Sequence, residues 1–146
     1  MAKFKYKFDS IKRVKIILVK KAQKELALID NAIFKKKEEI KKTIEEKSKS
    51  KKNFLEKKIR SASESIFFSN YENFVEEKIE MLNEELKKLQ SQRKEKVKIL
   101  AEKTKEKKIF EKLEENMKMV FKNEENRKEQ VFLDEIGTIN FNREER

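Results

Sequence analysis

Residues 75–89 read VEEKIEMLNEELKKL, and the spacing of their apolar members decides the fold. Val75, Ile79, Leu82, Leu86 and Leu89 alternate steps of four and three. That spacing lays one apolar stripe along an α-helix and is the mark of a coiled coil. Followed by sevens from Val75, the pattern reaches Lys96, Lys103, Phe110, Met117, Glu124 and Val131. The companion series from Ile79 passes through Arg93, Leu100, Lys107, Glu114, Phe121 and Lys128. Where both series turn polar, the neighbours Val97, Leu113 and Val120 are expected to refill the seam.

The first half repeats the pattern less regularly. Phe8, Ile11, Val14, Leu18 and Ala22 step by three and four, and Leu26, Ile29, Ile33, Ile40 and Ile44 continue. Residues 45–52 are nearly all polar before Phe54, Leu55 and Ile59 resume, which predicts a local slip in the supercoil.

One helix of ~140 residues would stretch ~210 Å at 1.5 Å per residue, so a break is needed. The Ser/Asn-rich stretch from Ser61 to Asn70 is the best place, because these side chains favour caps over helix interiors. Ser69 with Glu72 fits a capping box, and Ser61 with Glu64 is a second option. A break at residues 47–52 is weaker, since lysine is a good helix former. Gly137, the only glycine, stands where a C-terminal cap belongs.

The expected fold class is therefore all-α, a long two-helix antiparallel coiled-coil hairpin. Helix one runs from about residue 5 to 60, the tip spans about 61–69, and helix two runs from about 66 to 136. A hairpin of this kind is roughly 80–90 Å long. Residues 1–136 form the hairpin and residues 137–146 a short polar tail.

Composition supports a narrow seam rather than a globule. Charged residues are 46% and hydrophobic ones 36%, with no Pro, Cys, His or Trp. The net charge of +11 is uneven: residues 1–60 carry 21 Lys/Arg against 8 Asp/Glu, a balance of +13. The rest is slightly acidic, so the two halves attract when folded side by side. The same basic stripe suits an acidic partner, RNA or a membrane surface. The densest apolar run, Ile16-Ile17-Leu18-Val19, is far too short to span a bilayer. With no signal-peptide pattern either, the chain reads as cytoplasmic and soluble.

Catalysis is discounted on inventory. There is no His for acid–base work, no Cys nucleophile and no glycine-rich phosphate loop. Carboxylate pairs such as Glu38-Glu39 and Glu114-Glu115 read as surface charges. No metal site or cofactor is expected without His or Cys ligands. Three features stand out instead. Phe67, Phe68, Tyr71 and Phe74 gather at the expected hairpin tip, either as exposed anchors or as a plug. Residues 129–135 read EQVFLDE, placing Asp134 and Glu135 at an expected helix C-terminus, where negative charge opposes the macrodipole. Residues 4–8 read FKYKF, which either docks a partner or staples onto the last turns of helix two.

Taken in order, these elements resemble the flagellar export protein FliJ family. Tyr6 and Phe8 before Ile11 and Val14 match its F-x-F-like opening. Asn70-Tyr71-Glu72-Asn73-Phe74 matches an N-Y-x-x-F segment, and Glu129-Gln130 with Asp134-Glu135 matches an E-Q-x-x-x-D-E-like element. Lys78 departs from the pattern, where members often carry an apolar residue four after the tip Phe. The resemblance implies a non-enzymatic stalk similar to the central (γ) subunit of rotary ATPases. Its termini would enter the pore of the hexameric export ATPase FliI, promoting ring assembly and turnover, through Phe8, Ile11, Glu129, Gln130, Phe132, Asp134 and Glu135. Its tip would meet the export gate FlhA through Tyr71 and Phe74, and it would escort export chaperones. It would work in the cytoplasm, peripheral to the inner membrane through the export apparatus. Two other readings stand beside it: a basic helical nucleic-acid binder, and the equivalent stalk of a virulence injectisome. Only 6 of the 39 basic residues are arginine, and no aromatic–Arg module is visible, which argues against specific nucleic-acid recognition.

Overall fold

A computed structural model describes residues 2–145. Two helices account for nearly all of them: α1, Asp9–Glu56, and α2, Ala62–Glu144. They pack against each other as an all-α helical hairpin, with no strand among the described residues. Contacts divide the chain into two compact units. One holds Met1–Val19 with Glu102–Arg146, and the other Lys20–Ala101.

In the second unit the ion pairs give the helix direction. Glu25 pairs with Lys96, Asp30 with Arg93, Lys36 with Glu85 and Lys47 with Glu76. Numbers rise on α1 as they fall on α2, so the helices run antiparallel. Ala22, Ile33, Thr43, Val75 and Leu82 are buried between them. Ile79, Leu86 and Leu89 are half-buried, which is the register that residues 75–89 predict.

The seam of α1 continues through Thr43, Lys47, Ser50 and Phe54 without a break in the seven-residue repeat. The expected slip beyond Ile44 is therefore absent, and Ile44 itself is exposed. Polar residues fill the seam positions, each kept satisfied. The Thr43 hydroxyl donates to the Glu39 carbonyl 2.8 Å away, and Lys47 Nζ donates to Glu76 at 3.0 Å. A buried polar group costs little once it has a partner.

The chain turns at residues 57–61, earlier than the Ser/Asn-rich stretch suggested. Arg60 ends α1 by donating to the carbonyls of Leu55 and Lys57 at 2.8 and 3.3 Å. Ser61 starts α2, its Oγ accepting the Glu64 amide at 3.1 Å. Of the two capping boxes, Ser61 with Glu64 is the one used. Ser69 and Glu72 lie inside α2, and residues 47–52 lie inside α1.

The first unit is built differently. Lys12 reaches Glu114 at 2.6 Å and Lys15 reaches Glu106 at 3.1 Å, again antiparallel. Val19 is its one buried hydrophobic among the described residues. The face of α1 turned to α2 carries Lys12, Lys15 and Ile16, while Ile11 and Val14 point outward, which corrects their expected place in the seam. On α2, Val97 and Val120 are exposed and do not refill the seam. Lys96 in the second unit and Lys103, Lys107 and Glu114 in this one stay at their half-buried heptad positions. Long charged side chains can do this because their stems cover apolar surface while their heads find partners.

Gly137 does not cap a helix. α2 runs on to Glu144, and no glycine has positive φ. The residues after it, Thr138-Ile139-Asn140-Phe141, sustain the helix, so residues 137–144 are not a separate tail.

Candidate functional site

Two surfaces collect the residues singled out from the sequence, one in each unit. In the first unit, residues 4–6 lie outside any helix against α2, and residues 7–8 turn into α1. The rings of Phe4 and Phe121 lie 5.6 Å apart, and Phe8 meets Phe110 edge-on at 6.3 Å. The Tyr6 hydroxyl donates to the Phe110 carbonyl at 2.7 Å, and loss of solvent, then Glu114, pushes its phenol above the ordinary range. The FKYKF stretch is thus a staple. It closes on residues 110–121 rather than on the last turns of α2, so Phe8 is half-buried inside its own chain.

Beyond residue 125 nothing among the described residues covers α2, and every residue from 126 to 145 is exposed. Glu129, Gln130, Phe132, Asp134 and Glu135 all belong to this stretch. Gln130 Nε2 donates to Asp134 Oδ1 at 3.1 Å, and the Thr138 hydroxyl donates to the Asp134 carbonyl at 2.9 Å. Asp134 and Glu135 sit more than two turns before the helix end, so the expected conflict with the macrodipole does not arise. Val131, Phe132, Leu133, Ile136, Ile139 and Phe141 expose their apolar side chains here. Sequence reading missed the last two by ending the helix at Gly137. The signal was present, because Phe132, Ile136 and Ile139 keep the four–three spacing. Ile11 and Val14 add a second exposed apolar strip in this unit.

In the second unit, the aromatic cluster lies in the first turns of α2 and splits in two. Phe68 stacks flat on Phe54 with centroids 4.1 Å apart, and the Arg60 guanidinium lies 4.9 Å from the Phe54 centroid. Tyr71 packs near Phe68 and its hydroxyl lies 3.4 Å from that of Ser50. These rings plug the end of the seam. Phe67 and Phe74 are 75% and 65% exposed and face away from it. Of the two residues expected to meet a gate, then, Tyr71 is half-buried and Phe74 is open. Exposed Lys78 follows Phe74 by one turn.

No helix among the described residues is long and apolar enough to cross a membrane. No match is found among curated proteins or among solved structures. A family model described as Flagellar FliJ protein matches residues 4–146. The match takes in the N-terminal staple, both helices and the exposed end of α2, so the chain belongs to the FliJ family and is a component of the flagellar export apparatus.

Proposed function

We propose that the chain is a non-catalytic stalk whose two ends enter the hexameric export ATPase, FliI, and promote its assembly and turnover. Its turn region contacts the export gate, FlhA, through Tyr71 and Phe74, and it escorts export chaperones at the cytoplasmic face of the inner membrane. One observation carries this reading. Residues 126–144 form a continuous helix that no other described residue covers, yet it presents Val131, Phe132, Leu133 and Ile136. An apolar surface of this extent is the mark of a protein contact. Glu129, Asp134 and Glu135 add charge beside it, which suits a pore lined with basic groups. Ile11 is exposed separately, beside the turns of α2 near Glu114, while Phe8 supports the end by holding the staple closed rather than by offering its ring.

The test adds the purified chain to the cognate hexameric ATPase and measures turnover and ring formation. Both should rise, and the double variant Phe132→Ser, Leu133→Ser should lose the effect while keeping its helicity. No change in either quantity with the unaltered chain would remove the proposal. At the other surface, Phe74→Ala should impair motility without loss of helix. Normal swarming by that variant would reject the gate contact.

A further inference from the structure

The turn joining the helices combines two features that the stalk reading does not use. Residues 49–60 hold Lys49, Lys51, Lys52, Lys57, Lys58 and Arg60 against one acid, Glu56. Arg60 is spent on capping carbonyls and Lys57 lies 3.7 Å from Glu64. Among the described residues, Lys49, Lys51, Lys52 and Lys58 have no carboxylate within ion-pair distance. Beside them, residues 65–71 read SIFFSNY, two helical turns without a charge. Their outer side chains Ile66 and Phe67 stand in solvent, and Ile59, at the loop, is 89% exposed. Water-facing isoleucine and phenylalanine on a convex turn, rimmed by unpaired ammonium groups, make the amphipathic pattern of an interfacial anchor.

We propose that this turn docks directly onto an anionic lipid surface. Ile59, Ile66 and Phe67 enter the headgroup–acyl boundary, and Lys49, Lys51, Lys52 and Lys58 lie among the acidic headgroups. The charge is the argument for lipid over an acidic protein. Lysine is a point charge on a flexible stem, matched to a fluid layer of headgroups rather than to a fixed carboxylate fork. Here three of the lysines lie on the last turns of α1 and Lys58 in the loop that follows, and a cluster of this size beside an apolar anchor is what anionic leaflets attract. The contact is independent of the ATPase and gate contacts, and uses neither Tyr71 nor Phe74.

The experiment mixes the full chain with vesicles of phosphatidylcholine alone and with vesicles containing an equal part of phosphatidylglycerol, then sediments them. Binding is expected only to the anionic vesicles and should weaken as salt rises. Each of the four lysines changed to Gln should weaken it about fivefold. The double variant Ile59→Ser, Phe67→Ser keeps the charge and, being confined to exposed positions, keeps the helicity; it should lose most binding. A Phe67→Trp probe should shift its emission to the blue on anionic vesicles. Equal binding to neutral vesicles, full binding by the serine variant, or an unshifted tryptophan would each overturn the proposal. So would weak binding of the unaltered chain to anionic vesicles together with tight capture by polyglutamate, which would make the turn an acidic-protein site. Because no export protein is present, failure here leaves the stalk reading standing, and failure of that reading leaves this one.

Discussion

Leu82 and Met81 are neighbours in sequence with opposite fates, and replacing each by Ala tests the register of the seam. Leu82 is 3% exposed and Met81 is 54% exposed. Shortening Leu82 removes roughly three methylene equivalents from a dry site, about 2.4 kcal/mol at ~0.8 kcal/mol each. A residual cavity would add to this, but a seam only two helices thick can collapse around the gap. The total should therefore stay near ~2.5–3 kcal/mol, at the lower end for such substitutions. Met81→Ala removes a side chain already half in water and should stay within ~0.5 kcal/mol of the original. Urea unfolding of the full chain, followed by far-ultraviolet circular dichroism, reads both. With a slope of ~2 kcal/mol per molar urea, the Leu82 variant should lose about 1.25–1.5 M from its midpoint, and the Met81 variant at most about 0.25 M. Equal shifts for the two variants, or a loss below ~1 kcal/mol for Leu82→Ala, would refute the seam described above.

Gly137 lies within α2, has ordinary helical φ, and nothing stands within 4 Å of where a Cβ would be. Gly137→Ala should stabilise the last turns by about 0.5–1 kcal/mol and raise helicity, whereas a left-handed cap would make the same change harmful. The pH profile has two limbs. The Lys15 hydrogen bond holds Glu106 below its ordinary 4.5, so its contribution is present above that value and fades as pH falls through the lowered one. Lys12 and Lys36, raised above 10.5 chiefly by hydrogen bonds to Glu114 and Glu85, contribute fully below 10.5 and lose it as pH rises further. With no histidine, the thermal midpoint should be flat across the neutral range, and Glu106→Gln should flatten the acid limb. A midpoint that moves between those limbs would contradict this assignment.

The register of α2 was legible because apolar residues mark it directly in VEEKIEMLNEELKKL, and two antiparallel helices followed from a length too great for one rod and a Ser/Asn-rich place to break it. The register of α1 was not, because its seam positions include Lys12, Lys15, Lys36, Thr43, Lys47 and Ser50. A reading that follows apolar residues drifts to Ile11, Val14 and Ile44, which are exposed. What holds the polar positions inward is a partner on the other helix, and such a partner is not visible in local spacing. The same limit applies at the turn. Arg60 reaching back to Leu55 and Ser61 reaching forward to Glu64 fix a five-residue break that serine content alone placed too late. At the other end, one glycine was given more weight than the four–three spacing that continues through Ile139. Glycine weakens a helix interior by less than ~1 kcal/mol and does not by itself end one. The candidate contact residues were found where aromatic and acidic residues cluster. Which of them stay free, as Phe74 and Phe132 do, depended on packing that only the fold supplies.

The exposed end of α2 is physically suited to binding because it begins as an extension. An isolated helix of about this length is marginal in water, since its first turn must be nucleated at a loss. Residues 126–144 face no such loss, because they propagate from turns already pinned by Phe4 on Phe121, Tyr6 on the Phe110 carbonyl, and Lys12 on Glu114. Propagation without packing leaves the segment near balance, and Gly137 in its middle keeps it there. A partner that covers Val131, Phe132 and Ile136 then gains nearly the whole apolar contact, with little ordering left to offset it. The N-terminal staple is what makes this possible. Loosening it, for example by Tyr6→Phe, Phe8→Ala, should weaken partner binding at residues 126–144 without altering a single residue of that surface.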